Sequence, residues 1–146
     1  MKKILFVVLG ILVAIQFMRP HFTNPKVDEK LALQADEKVM VLLKNACFDC
    51  HSNEVTYPWY HNVAPVSWVM AKHIDNGRRA INFSTWADMN TDVKTTRLKR
   101  AKQLISNGLM PKGSYALMHP KAHLDQKDKE TLEQYFDQQL DQLKKS

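Results

Sequence analysis

The residues best suited to chemistry lie in one window, Cys47-Phe48-Asp49-Cys50-His51. It holds the only two cysteines of the 146-residue chain, three positions apart, with a histidine directly after the second. That is the C-x-x-C-H pattern of c-type haem attachment. Two thiols at this spacing on the first turn of a helix can each form a thioether with a vinyl-derived carbon of a porphyrin. The imidazole of His51 then falls under the iron as proximal ligand. Other chemistries use the same residue types. A redox dithiol belongs to a strand–helix context, and little strand signal surrounds the motif. A structural zinc site needs four ligands, and the chain has no second cysteine pair. A disulfide between residues this close strains the usual geometry.

Haem iron takes a second axial ligand or keeps an open position. The candidates are Met70, Met89, Met110, Met118, His61, His73, His119 and His123. Met110 is the best placed. It follows a helix stop at Asn107-Gly108 and precedes Pro111 and Gly113, which sets it on a stiff loop. A residue before proline is held extended, so its side chain is aimed away from the helix axis. It also lies 59 residues beyond His51, enough chain to cross to the other haem face. His119, also followed by a proline, is the alternative. Met/His ligation would raise the potential and bis-His ligation would lower it. Met70 and His73 read as core or surface, and His61 and His123 as exposed.

Other groups have two readings each. Tyr57, Trp59 and Tyr60 would wall the porphyrin or bond a propionate, or simply pack a loop. Arg78 and Arg79 would pair with propionates, or lie solvated. Lys94, Arg97, Lys99, Arg100 and Lys102 load one helix with positive charge, as a docking patch for an acidic redox partner or as a wet face.

These residues need elements to position them, and the apolar pattern supplies helices. Val39, Leu42, Leu43 and Ala46 form a helical stripe leading into the motif. A second helix opens at Asn62–Pro65, with Pro65 in its first turn and Gly77 as its stop. A short helix follows Phe83, and another starts at Thr91-Asp92, either of which can cap it, and ends at Asn107-Gly108. The last is capped at Asp125 and buries Leu132, Phe136, Leu140 and Leu143. No strand, repeat or low-complexity tract is evident. The N- and C-terminal helices of the domain should pack on each other beside the haem.

The chain opens with Met1-Lys2-Lys3 and an apolar run from Ile4 to Phe17 that has no A-x-A-like cleavage site. The run is short of the about 17–25 residues of a span. Lys3 and Arg19 can snorkel to make up length. Residues 1–19 are expected to be an uncleaved single-pass membrane anchor, the alternative being a cleaved signal and a secreted domain. Residues 20–33 read as a tether and 34–146 as the haem domain. The positive-inside rule places Lys2 and Lys3 in the cytoplasm and the domain outside it. In a bacterium that is the periplasmic face of the inner membrane, the side on which haem of this type is attached. A net charge of +6 suits an acidic partner or anionic lipid. No aromatic-interleaved basic motif points to nucleic acid.

The chain resembles the small haem-binding domain family of the cytochrome c superfamily, found in bacterial exported proteins. The likeness rests on Cys47-Phe48-Asp49-Cys50-His51-Ser52-Asn53-Glu54, Tyr57-Pro58-Trp59-Tyr60 and Asn62-Val63-Ala64-Pro65-Val66-Ser67-Trp68. It also rests on Gly77-Arg78-Arg79, Asn82-Phe83-Ser84, Met110-Pro111, Tyr115 and His119-Pro120. The resemblance implies an all-α, cytochrome c-like domain around one covalent haem c, bound by Cys47, Cys50 and His51, with Met110 on the iron. The function expected is one-electron transfer rather than enzymatic turnover. The alternative is an open-site peroxidase-like enzyme or gas sensor using His119 or Arg78 as a distal group.

Overall fold

The computed structural model describes residues 1–145 and is all-helical, with no strand among them. Helix α1 (Lys2–Ala14) is apolar on every side, buries none of its residues, and gives way to a 3-10 turn at Ile15–Phe17. Thirteen residues rise roughly 20 Å, against a hydrocarbon core of about 30 Å. Among the described residues no helix is long and apolar enough to cross a membrane. The spanning helix expected within residues 1–19 is therefore not formed. The apolar run is cut short where Gln16 turns its side chain to the backbone of Ala64.

The stretch expected to be a tether lies along the domain. Asn24 brackets Val55 with two hydrogen bonds, and the Leu33 N–H donates to the Phe83 carbonyl at 2.8 Å. Helix α2 (Glu37–Ala46) starts where Asp36 accepts from the Val39 N–H at 2.9 Å, which satisfies an otherwise orphaned donor of the first turn. It buries Val39, Leu43 and Ala46. The one-turn helix α3 (Phe48–His51), with Cys47 as its N-cap, carries the C-x-x-C-H residues.

Helix α4 (Val66–Ala80) runs three residues past Gly77, the position where a stop was expected. Gly77 has a different task. A Cβ there would overlap the Cys50 carbonyl oxygen, so the missing side chain lets α3 and α4 meet backbone to backbone. Helix α5 (Thr91–Ser106) is capped by Asn90, one residue before the expected caps, because the Asn90 side chain accepts from Val93 N at 2.9 Å. Helix α6 (Gly113–Met118) is short, and α7 (Gln126–Lys145) begins at a reciprocal Asp125–Asp128 pairing.

Helix α7 packs on α5 and α2, so the first and last helices of the domain do meet. Leu43, Leu98, Leu132 and Phe136 are the most enclosed side chains of that core. Each such residue contributes about 1.5–3 kcal/mol on burial. The core leaves one flank of α3 and α4 open, and the site lies there.

Candidate functional site

A cavity of about 680 Å³ opens between α3, α4 and the segment 110–119, with a smaller one of about 150 Å³ behind it. The larger volume is within the about 300–1,000 Å³ typical of cofactor sites. His51 and Met110 line both cavities, Cys50 the larger and Cys47 the smaller. The C-x-x-C-H motif and the favoured second ligand thus border two adjoining cavities that share His51 and Met110, although 59 residues separate those two.

His51 is held from behind. Its Nδ1 lies 3.0 Å from the Gly77 carbonyl and 3.1 Å from the Ile81 carbonyl. Both partners are acceptors, so Nδ1 carries the proton, and Nε2 is the nitrogen with a free lone pair. Burial holds the imidazole pKa below its ordinary value, opposed by these two bonds. Fixing one ring nitrogen to orient the other is what an imidazole ligand requires. The tight crossing at Gly77 is what brings the Gly77 carbonyl within reach.

Both thiols are free. Burial pushes Cys47 up to about 12, with the neighbouring Cys50 adding to the rise. Burial and then Asp49 push Cys50 up to about 11, partly offset by Lys112. Among the described residues no three His, Cys, Asp or Glu side chains converge as a metal site, so the zinc reading finds no ligands.

The loop after His51 is pinned by its own small polar groups. Ser52 Oγ donates to the Phe48 carbonyl at 2.8 Å and accepts from Glu54 N at 2.9 Å. Asn53 N donates to Ser84 Oγ at 3.0 Å, and Asn82 Nδ2 to Asn53 Oδ1 at 2.9 Å. The Ser52-Asn53-Glu54 and Asn82-Phe83-Ser84 stretches are thus two halves of one lock that fixes the end of α3.

Met110 is placed by the end of α5. Gly108, at φ 65°, donates to the Ile105 carbonyl, and Leu109 N reaches back to the Leu104 carbonyl at 2.8 Å. That is the Schellman closure, and glycine suits its left-handed position. Met110 N bonds the same Leu104 carbonyl at 3.2 Å, so the backbone of Met110 is fixed directly to the helix end.

His119 also lines the larger cavity, but both its nitrogens are occupied. Nδ1 donates to the Tyr115 carbonyl at 3.0 Å, and Nε2 accepts from the Tyr60 hydroxyl at 3.3 Å. Its ring stacks on Tyr115 at 4.1 Å. Met70, Met118 and His73 line the cavity as well, whereas Met89, His61 and His123 do not. Met89 instead accepts from Arg97, and His61 is bonded to the Pro58 carbonyl.

Several expectations fall away. Arg78 spans Ser52, Thr23 and Asn24, and Arg79 pairs with Asp75 and Asn76 on the surface, so neither reaches the cavity. Arg78 is excluded as a distal group for the same reason. Of Tyr57, Trp59 and Tyr60, only Tyr60 is a wall. The basic face of α5 is partly consumed: Lys102 pairs with Asp137, and Lys94 lies over the Trp86 ring.

Other site residues were missed. Lys72 and Lys112 line the larger cavity, and Arg97 and Arg100 of α5 line the smaller one. Asp49 accepts from Thr56 N at 2.9 Å and from the Tyr115 hydroxyl at 2.7 Å, which ties the motif to α6. Gly77 was legible in principle, since a glycine inside a helical pattern often marks a close backbone approach.

The residues present fit a porphyrin: a largely apolar cavity lined by two thiols, an oriented imidazole and a thioether. Among protein families, the model described as the haem-binding domain matches residues 10–138. No curated protein and no solved structure matches the chain. With the match covering well over half of its length, from α1 into α7, the chain belongs to the haem-binding domain family.

Proposed function

We propose that the protein is a monohaem c-type cytochrome domain that transfers single electrons at the periplasmic face of a bacterial inner membrane. The observation that carries this reading is the oriented His51 beside two thiols, with Met110 lining the same cavities. Haem, when bound, supplies the one-electron couple.

The chain's own residues do the rest. Cys47 and Cys50 would hold the porphyrin through thioethers, each S–H adding across one vinyl C=C with no oxidant required. His51 offers Nε2 to the iron while Gly77 and Ile81 hold Nδ1. Met110 offers a thioether from a loop whose backbone is already fixed, so a weak ligand is held by the fold. Its soft sulfur favours a raised potential. Both His119 nitrogens are already bonded, which favours Met110 over His119 as the second residue that would hold the iron. Lys72 and Lys112 in the larger cavity, and Arg97 and Arg100 in the smaller, are cations that would be available to the porphyrin carboxylates. The exposed cations of α5 suit an acidic partner, and α1 suits export and attachment to the bilayer.

Expression with the c-type maturation machinery tests the reading. The expected product carries a haem-sized mass increment that survives denaturation and is lost in a Cys47→Ala, Cys50→Ala variant. The ferric spectrum should show the weak far-red band of sulfur ligation. Met110→Ala should abolish that band and admit carbon monoxide, whereas His119→Ala should keep it. Colourless protein from a competent host would end the proposal.

A further inference from the structure

Helix α1 is exposed and apolar all round, with Ile4, Phe6, Val7, Leu9, Ile11 and Val13 each about half exposed or more. A protein groove covers one stripe of a helix, whereas only an apolar solvent covers every side. At roughly 20 Å, α1 falls short of a bilayer core of about 30 Å. The end of α1 is also bonded to the domain. Gln16 Nε2 donates to the Ala64 carbonyl at 3.0 Å, and Gln16 Oε1 accepts from Ala64 N at 3.0 Å. Trp68 Nε1 donates to the Met18 carbonyl at 2.6 Å, and Arg19 to the Asn62 carbonyl at 3.4 Å. Wherever the end of α1 goes, residues 59–68 go with it.

That same stretch exposes large apolar side chains, as Val41, Leu109, Leu117 and Met118 do elsewhere in the domain. Trp59 is 78% exposed, and Val63 and Trp68 are each 39% exposed, beside Phe17 and Met18. Val66 and Val69 line the cavity, so a cofactor would cover them, but Trp59, Val63 and Trp68 lie outside it. Gln16 is the one polar side chain within the apolar run, and the hydrogen bonds to Ala64 engage both ends of its amide. That pairing is what an amide needs at membrane depth.

We propose that the face formed by Phe17, Met18, Trp59, Val63 and Trp68 seats in the interfacial layer of an anionic bilayer, sinking the end of α1 and making up the length that α1 lacks. This rests on the reading of α1 as a membrane attachment. Tryptophan favours that layer because it has an apolar ring and a polar N–H. Arg19 beside the face supplies the charge for anionic headgroups.

Single cysteines at positions 59, 63, 9 and 142, each carrying bimane, test it. The full-length haem-loaded chain is reconstituted into phosphatidylcholine–phosphatidylglycerol vesicles, with acyl chains brominated or not. Taking the ratio of the two removes the constant quenching by haem. Bromination should reduce emission about twofold at 59 and 63, where an interfacial seat meets the acyl-chain boundary, and at 9, but not at the exposed Gln142→Cys. Quenching at 9 alone would overturn the seated face and leave the membrane attachment standing. Quenching at none of them would overturn both. Protection of 59 from a water-soluble maleimide without bromine quenching would mean that a second copy covers the face, and would also overturn the proposal. Labelling of more than one thiol per chain would instead report that Cys47 and Cys50 are not tied to haem.

Discussion

Gly77 does for the site what no side chain could. Its missing Cβ brings α4 onto the Cys50 carbonyl and puts its own carbonyl 3.0 Å from His51 Nδ1. Gly77→Ala must therefore push the two backbones apart. We expect a loss of about 1–3 kcal/mol in unfolding free energy, the usual cost of overpacking, with a reduced yield of covalent haem. Gly113→Ala is the control, since a Cβ there meets nothing within 4 Å. Chemical denaturation and intact mass would check both. Asp49 is the other residue whose role exceeds its place in the motif. Burial and the Asp49 hydrogen bond raise the Tyr115 pKa, so this hydroxyl remains a donor. Tyr115→Phe leaves one carboxylate oxygen without its partner. It should lower stability by about 1–3 kcal/mol, as for a hydrogen bond to a charged group, measured by denaturant titration of the haem-loaded protein.

At the scale of elements, the fold depends on how helices stop as much as on how they start. Helix α5 ends in a left-handed glycine, and the closure at Leu104 is what fixes Met110. No neighbour crowds Gly108, so Gly108→Ala tests the backbone alone. It should cost about 1 kcal/mol, the penalty for a side chain in that conformation. If Met110 binds iron, it should also weaken the far-red band more than Gly113→Ala does. The ends of α4 and α5 show where local patterns mislead. A glycine near the end of a periodic run reads as a stop, but at position 77 a partner helix uses the vacancy. Asn90 precedes two other good caps, and only backbone geometry chose among the three.

Across the whole molecule, the cavities leave two ionisable thiols half-buried. In the haem-free protein the two thiols resist ionisation up to about 12 and about 11, against an ordinary 9.0. A raised folded-state pKa gives stability that is fully present below 9.0 and is lost as pH climbs through the folded values. Haem-free wild type should thus lose stability between pH 9 and 11 faster than the Cys47→Ala, Cys50→Ala variant. All other ionisable groups are common to both proteins. Denaturation midpoints for the two proteins at matched pH would decide it. Identical slopes would mean that the thiols are wet.

The motif, the candidate ligands, the all-helical class and the apolar leader were all legible in the chain, because each depends on residue type and short spacing. C-x-x-C-H needs only five consecutive positions, and a helix needs only an apolar period. Tertiary structure decided what depends on distant backbone. It put the carbonyls of Gly77 and Ile81 on His51, drew Arg78 and Arg79 away from the cavity, and left Lys72 and Lys112 lining it. It engaged both nitrogens of His119. It also bound Gln16, near the end of the apolar run, to the backbone of Ala64. These are hydrogen bonds and close approaches between residues tens of positions apart, and periodicity along a sequence carries no signal for them.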